Sequence, residues 1–217
     1  MNYIIISAAL PLIAGLLYFE KKESINGLLS FKPLLSFLFV LSALMQTHNN
    51  IVYFYIILSG LILCLIGDIC LIFFFNKKIF TAGLAAFLAG HIMYIIAFFK
   101  FGKTGMVMFA AGAVCILVST IIFILLKSQL GSMIGPVSVY IIIITVMTAS
   151  ASAFWNNGSH NTAGRNIVLI GALLFYISDI FVARHRFVRK EFLNRALGLP
   201  MYYTAQFMIA FSTGLIW

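Results

Sequence analysis

Eight long apolar stretches restrict what this chain of 217 residues can fold into. They run near residues 3–19, 33–46, 52–75, 79–99, 105–126, 133–154, 166–183 and 197–217. Most approach the roughly 20 residues that a helix needs to cross a bilayer. Because the runs are continuously apolar and lack the alternation of a membrane β-strand, they predict helices. The sequence therefore predicts an all-α, polytopic membrane protein with eight transmembrane helices in a single integral membrane domain, residues 1–217.

The composition agrees with a membrane protein. Hydrophobic residues make up 63% and charged residues 9% of the chain, against about 45–50% and about 25% in soluble domains. The formal net charge is +9, but the basic residues flank apolar stretches instead of forming one patch, which argues against a nucleic-acid partner. The three cysteines fall within predicted helices without a C-x-x-C spacing, so they indicate neither a disulfide framework nor a zinc ribbon.

Basic residues are divided unequally between the two sets of loops. Eleven fall at the loops near 20–32, 76–78, 127–132 and 184–196, and three at the alternate loops. By the positive-inside rule, the first set faces the cytoplasm and both termini lie outside. We therefore expect a multi-pass protein of a bacterial-type inner membrane.

Similar segments in the two halves indicate an internal duplication. Asp68 lies near the end of the third stretch as Asp179 does in the seventh, and residues 83–91 resemble residues 198–206. A repeat of four helices preserves orientation, so this would be a 4+4 parallel repeat. It would bring the two aspartates together around one cavity.

Two of only five acidic residues, Asp68 and Asp179, lie inside apolar stretches. A carboxylate in hydrocarbon is costly, so such residues face a protein interior or a wet cavity and mark function. The helix rise places both aspartates, Tyr140, Gln206 and His91 roughly 7 to 18 Å from the predicted cytoplasmic ends. Their shared depth predicts one pocket in the cytoplasmic half. No basic residue is expected deep in any span, so protonation, hydrogen bonds or water should compensate the acids.

Other polar residues near this depth have structural alternatives. His91 follows a run of small residues and could hydrogen-bond across a close helix contact. Tyr94 and either Tyr202 or Tyr203 face pocket positions, but tyrosines near helix ends also serve as interfacial anchors. Lys32, at the predicted entrance of the second helix, either sets topology or holds a lipid phosphate.

Five short motifs follow one another along the chain. They are Lys32-Pro33, Gly67-Asp68, Phe87-x-x-x-His91-x-x-Tyr94, Gly171-Ala172-x-x-Phe175-x-x-Ser178-Asp179 and Tyr203-x-x-Gln206. In their order and spacing, and with eight spans, the chain resembles the YhhN-like lysoplasmalogenase family from about residue 30 to 212. The resemblance implies cleavage of the vinyl ether bond of lysoplasmalogens, which releases a fatty aldehyde and glycerophosphoethanolamine or glycerophosphocholine.

The implied reaction begins with proton delivery to carbon, which requires a carboxylic acid that keeps its proton near neutral pH. A second, ionised carboxylate stabilises the resulting oxocarbenium ion and activates water, as in glycosidases. We expect one of Asp68 and Asp179 to be the acid and the other to be the base, and the sequence does not assign which is which. We expect His91 to orient the water or relay a proton.

The substrate is expected to be a lysophospholipid whose chain lies among membrane lipid. Lys32 would contact its phosphate. The other substrate-binding candidates are Tyr94, Tyr140, Ser178, Tyr203 and Gln206. No metal or other cofactor is required by this chemistry, and the oligomeric state is left open.

Three other interpretations remain at this stage. Paired intramembrane carboxylates with a histidine also suit a small proton-coupled transporter. Asp68, His91 and Asp179 could instead hold zinc in a metal-dependent lipid hydrolase, although one histidine makes a poor ligand set. A purely structural membrane protein would give no reason for the buried acids.

Overall fold

The computed structural model describes residues 2–73 and 75–216, and these residues form eight α-helices and no β-strand. The helices are α1 (Asn2–Lys21), α2 (Ile25–Leu44), α3 (Ile51–Ile72), α4 (Lys77–Phe101), α5 (Met106–Leu130), α6 (Ile134–Trp155), α7 (Thr162–Ala183) and α8 (Phe192–Ser212). A 3-10 turn, Gly131–Met133, joins α5 to α6, and a π-helical turn, Arg184–Val188, extends α7. The predicted all-α class is confirmed.

Four helices begin next to a polar residue whose side-chain oxygen accepts a hydrogen bond from a first-turn amide. These capping residues are Ser24, Asn50, Asn76 and Asn161. Such caps satisfy amides that have no partner within the helix. The short polar connections therefore fix where the apolar stretches start.

Six stretches of the described chain are long and apolar enough to cross a membrane, which supports a multi-pass membrane protein. One of them, Met106–Trp155, contains both α5 and α6. Helix α8, which carries Asn194, Arg195 and Gln206, is not among the six. The number of eight crossings stays a prediction.

Helix α2 is longer than the sequence indicated. It begins at Ile25 instead of near residue 33, and Pro33 lies inside it. Proline removes one backbone hydrogen bond, but membrane helices tolerate this because neighbouring groups satisfy the freed carbonyl. The Lys32-Pro33 pair is thus within a helix and not at its entrance. Helix α8 also begins earlier, at Phe192 instead of near residue 197.

Six of the helices pack as a ring. In the order α2, α3, α4, α6, α7 and α8, each contacts the next, and α8 contacts α2. Helix α1 packs outside against α2 and α8, and α5 packs against α6. Each predicted half of the repeat thus supplies three consecutive helices to the ring. The 4+4 repeat itself stays a prediction.

Glycines bring α3 and α4 into close contact. A Cβ atom on Gly67 would lie 2.6 Å from the Phe87 ring. One on Gly90 would lie 2.8 Å from the Cys64 Sγ and 3.0 Å from the carbonyl oxygen of Gly60. Since Asp68 and His91 directly follow two of these glycines, the close packing also sets the positions of both polar side chains.

We expect Gly90→Ala to lower the thermal stability of the purified protein in detergent. The added methyl group would press on the Gly60 backbone, which cannot move aside as a side chain can, and overpacking of this kind costs about 1–3 kcal/mol. Gly112→Ala is the matched control, because its Cβ would meet only the Ala149 methyl at 3.7 Å. A Gly90→Ala protein with the same unfolding temperature as Gly112→Ala would contradict the tight α3–α4 contact.

Candidate active site

The six helices of the ring surround a cluster of polar side chains near one end of the bundle, most of them buried, with Asp179 and Tyr140 half-buried. Asp68 and Asp179 each lie four residues before the last residue of their helices, α3 and α7. The cluster also takes residues from the first halves of α2 and α6 and from the middle of α4 and α8. All nine site residues named from the sequence lie on these six helices.

Asp68 has three polar partners within the cluster. Its side chain is 2% exposed, and its Oδ2 accepts hydrogen bonds from the Ser36 hydroxyl and the Tyr202 hydroxyl, both at 2.6 Å. The Lys32 ammonium lies 3.3 Å from Oδ1 and is itself buried. Asp68 therefore has both a cation and two hydroxyl donors.

The buried position of Lys32 corrects an expectation from the sequence. No basic residue was expected deep in a span, but Lys32 lies on the eighth residue of α2 and pairs with Asp68 inside the bundle. The error follows from treating Pro33 as a helix boundary, which put Lys32 in a loop. Its predicted role in phosphate binding is not favoured by this pairing, because its charge is already compensated.

Asp179 has a different environment. Its Oδ2 accepts one hydrogen bond, from the Tyr140 hydroxyl at 2.9 Å. Within residues 2–73 and 75–216 no lysine or arginine forms an ion pair with it. In the part of the chain that the structure describes, the two aspartates share no hydrogen-bond partner and form no hydrogen bond with each other. They are therefore two separate groups that line one cavity.

A chain of aromatic rings connects the two aspartates. The Tyr202 ring lies 5.2 Å from the Phe175 ring, Phe175 lies 4.6 Å from His91, and His91 lies 5.5 Å from Tyr140, all measured between centroids. All three contacts are edge-to-face, which is a preferred geometry for aromatic pairs. The rings hold the hydroxyl donors of both aspartates in fixed positions.

His91 is the central ring of this chain and is fully buried. Neither ring nitrogen makes a hydrogen bond of ordinary geometry, although the Phe87 carbonyl one turn earlier is near enough to interact with the ring. His91 lies behind Phe175 and Tyr140, both of which line the cavity. The structure places it in the wall and not at the cavity surface.

A second hydrogen-bond chain leads to Asp68 from α4 and α8. The Tyr94 hydroxyl donates to the Gln206 Oε1 at 2.8 Å, and the Gln206 Nε2 donates to the Tyr202 hydroxyl at 3.2 Å. Tyr202 in turn donates to Asp68. Tyr94 and Gln206 thus act on the site through Tyr202.

Tyr202, Ser36 and Phe175 have contacts at the site that sequence reasoning did not assign. Of the two adjacent tyrosines, Tyr202 contacts Asp68, whereas the Tyr203 hydroxyl lies 3.4 Å from the Ser36 hydroxyl. Helical spacing could have found Ser36 and Tyr202, since each lies four residues from a named candidate and on the same helix face. Phe175 belongs to the Gly171–Asp179 motif, but the sequence assigned it no function.

The cavity has a volume of about 140 Å³ and combines a polar end with an apolar body. Its polar lining residues on the ring helices include Lys32, Asp68, Tyr140, Ser178, Asp179 and Tyr202. The Ser178 hydroxyl is buried without a hydrogen-bond partner. Its apolar body is lined by residues that include Ile122, Leu126, Val137, Ile141 and Ile144. The space is large enough for several water molecules or part of a lipid chain.

The arrangement offers acid–base chemistry on an apolar substrate and little support for a metal centre. Among the described residues, no group of three or more His, Cys, Asp or Glu side chains is placed to hold a metal ion. Asp68, His91 and Asp179, considered as zinc ligands from the sequence, do not form such a group.

Comparisons with known proteins place these features in a family. The YhhN family profile matches residues 28–213. The chain is similar to lysoplasmalogenase TMEM86A of Homo sapiens, 31% identical over 161 residues, which cover 72% of this chain and 64% of that protein. It is similar to a lysoplasmalogenase homolog of Dictyostelium discoideum, 27% identical over 199 residues, which cover 76% of this chain and 65% of that protein. No solved structure gives a significant match.

The match spans somewhat less than two thirds of the length of these curated relatives, 64% and 65%. Lysoplasmalogenase TMEM86A of Bos taurus gives the same picture, at 31% identity over 166 residues, 72% of this chain and 64% of that protein. The family profile in contrast covers most of this chain, including every site residue named above. This chain belongs to the YhhN family, as its motifs indicated.

Proposed function

We propose that this protein hydrolyses the vinyl ether bond of a lysoplasmalogen, with Asp179 as general acid and Asp68 as general base. Three relatives are named lysoplasmalogenases or homologues of one. A cavity with an apolar body and a polar end suits a lipid with one chain. The observation that carries the mechanism is the difference between the polar partners of the two aspartates. Among the described residues, Asp68 has a cation and Asp179 has none.

Asp68 is proposed to be the ionised carboxylate. The Lys32 ammonium and two hydroxyl donors, Ser36 and Tyr202, all direct positive charge or hydrogen atoms at it. A carboxylate has about four lone-pair positions, so it can still accept a hydrogen bond from a water molecule in the cavity. Tyr94 and Gln206, through their hydrogen bonds, keep the Tyr202 hydroxyl aimed at Asp68.

Asp179 is proposed to carry the proton. An ionised carboxylate in a largely apolar site is costly unless a cation pairs with it, and among the described residues the half-buried Asp179 has the Tyr140 hydroxyl as its hydrogen-bond partner and no cation. Because Tyr140 donates to Oδ2, Oδ1 is left to hold the proton. A neutral carboxylic acid in this position can give its proton to the substrate.

The reaction then proceeds in three steps. Asp179 transfers its proton to the vinyl carbon beta to oxygen, and the electron pair of the double bond forms the new C–H bond. Water adds to the resulting oxocarbenium carbon while Asp68 accepts the proton that the water loses. The hemiacetal then breaks its C–O bond to glycerol as Asp68 protonates the glycerol oxygen and Asp179 takes the hydroxyl proton. Fatty aldehyde leaves, and both carboxyl groups return to their starting states.

The remaining site residues are proposed to position these groups. Ser178, a cavity-lining residue whose buried hydroxyl has no hydrogen-bond partner among the described residues, would donate to the ether oxygen or to the glycerol. His91 would hold Tyr140 and Phe175 in place, since it lies in the wall behind them. Tyr203 would support Ser36, and Lys32 would keep Asp68 ionised.

The site is proposed to open toward the cytoplasm. Most basic residues of the chain lie at the end of the bundle where Asp68 and Asp179 are found. By the positive-inside rule, that end is cytoplasmic, and both termini lie on the outer face of a bacterial-type inner membrane. The whole chain, residues 1–217, would be a single membrane domain with eight crossings.

Incubation of the purified protein with matched lysolipids tests the activity. We expect mass spectrometry to detect fatty aldehyde and glycerophospho-base from a 1-alkenyl lysolipid and no free fatty acid from the 1-acyl lysolipid. Activity in detergent would also separate hydrolysis from proton-coupled transport, which requires a closed membrane. Fatty acid release from the acyl lipid, or no product from either, would contradict the proposal.

Asp68→Asn and Asp179→Asn should each lower aldehyde release by at least about a hundredfold, since general acid–base groups contribute about 10²–10⁴-fold. The control is Glu23→Gln, which removes a carboxylate from an exposed ion pair with Lys190. The control should keep wild-type rates, and all three proteins should remain folded by size-exclusion chromatography. An Asp variant that retained a tenth of the activity would not be the acid or the base.

Lys32→Met should destabilise the protein by about 3–5 kcal/mol, because it leaves a buried carboxylate without its cation. Adding Asp68→Asn to Lys32→Met should restore part of that stability, since the uncompensated charge is then gone. Thermal unfolding in detergent without substrate measures both proteins. If Lys32 served only to bind phosphate, Lys32→Met would not lower the unfolding temperature, and the double variant would be no more stable than Lys32→Met.

A further inference from the structure

Three cations, Lys32, Arg186 and Arg195, line the cavity, and within the described part of the chain Arg186 is the one without an acidic partner. Among the described residues, four acidic side chains form ion pairs: Glu20 with Arg195, Glu23 with Lys190, Asp68 with Lys32, and Glu191 with Arg184 and Arg189. Asp179 is the fifth acid of the chain and has no cation. Arg186 lines the cavity and forms no ion pair with any of them.

Packing fixes the direction of the Arg186 side chain. Its guanidinium lies over the Phe80 ring, 4.5 Å from the ring centre, and Phe80 also lines the cavity. Arginine stacks on aromatic rings while the donors at its edge stay available. A stacked guanidinium without a carboxylate is suited to bind a phosphate through two parallel hydrogen bonds.

The spacing between Arg186 and Asp179 fits the distance between the phosphate and the vinyl ether of a lysolipid. The residues are seven positions apart on α7 and its π-helical extension, which is about 10 Å along the helix axis. Both residues line the same cavity. A glycerol backbone, together with the length of the arginine side chain, can bridge this distance.

We propose that Arg186 binds the phosphate of the lysolipid while the vinyl ether lies at Asp179. Arg195 also lines the mouth, where its ion pair with Glu20 leaves donors on the guanidinium. It adds positive charge beside the phosphate. The inference rests on the proposed function for the identity of the lipid, but phosphate binding can be measured without catalysis. The phosphate would therefore be bound by Arg186 and not by Lys32, because the charge of Lys32 is compensated by Asp68.

The kinetic test compares a 1-alkenyl lysophosphocholine with the 1-alkenylglycerol that lacks the phosphate. For Arg186→Gln, the ratio of kcat/KM for the first substrate over the second should fall by about ten- to a hundredfold, as expected for a lost charge-assisted hydrogen bond. The loss should appear in KM, and Arg186→Lys should recover part of it. An unchanged ratio would overturn the inference.

Arg189→Gln is the matched control. It removes the same charge three residues further along the chain, but Arg189 pairs with Glu191 and is not among the residues that line the cavity. Its ratio of kcat/KM values should equal that of the wild type. If Arg189→Gln lowered the ratio as much as Arg186→Gln, general surface charge would explain both effects and the specific site would be wrong.

A binding arm separates this inference from the proposed function. Affinities of a 1-acyl lysophosphocholine and of the matched monoacylglycerol are measured in a phosphate-free maltoside detergent. Arg186→Gln should weaken binding of the first by about tenfold or more and leave that of the second at the wild-type value. Inorganic phosphate at the same concentration should not displace the lysolipid, because it lacks the chain. Equal weakening for both lipids overturns the inference, whereas absence of cleavage with intact phosphate-dependent binding overturns only the proposed hydrolysis.

Discussion

The ion pair between Lys32 and Asp68 inside the helix bundle is the interaction on which the rest of the site depends. An unpaired charge at this depth would be expelled or neutralised, and the pair permits a carboxylate to remain there. It requires α2 to run past Pro33 without breaking, so that Lys32 reaches Asp68 on α3. The close glycine contact of α3 with α4 fixes these two helices against each other and so helps to position Asp68 and His91.

The Lys32–Asp68 pair also makes the surroundings of the two aspartates different, although their side chains are chemically identical. Among the described residues, Asp68 has a cation and two hydroxyl donors, whereas Asp179 has one hydroxyl donor, Tyr140, and no cation. Both aspartates line one cavity, and a series of contacting aromatic rings runs from the hydroxyl donor of one to that of the other. This difference supports the proposal that one carboxyl group donates a proton and the other accepts one, as acid–base hydrolysis of an acid-labile ether requires. Membership of the YhhN family and the names of the relatives agree with that chemistry.

The sequence predicted the parts of this structure that follow from solvent cost and periodicity. The apolar stretches predicted helices because lipid leaves backbone groups no other partner, and the cost of burial singled out Asp68 and Asp179. The partner Lys32 was missed because a proline was read as a helix boundary, although membrane helices can continue through one. The choice between Tyr202 and Tyr203 also needed coordinates, since adjacent residues differ by about 100° around a helix and hydropathy does not fix its rotation.

The most direct measurement of the central claim is the infrared carbonyl band of protonated carboxyl groups in the purified protein at neutral pH. With five acidic side chains in the chain, and four of them in ion pairs, such a band can be assigned by single substitutions. The account predicts a band in the wild type that persists in Asp68→Asn and disappears in Asp179→Asn. A wild type without the band, or a band that disappears only in Asp68→Asn, would contradict it.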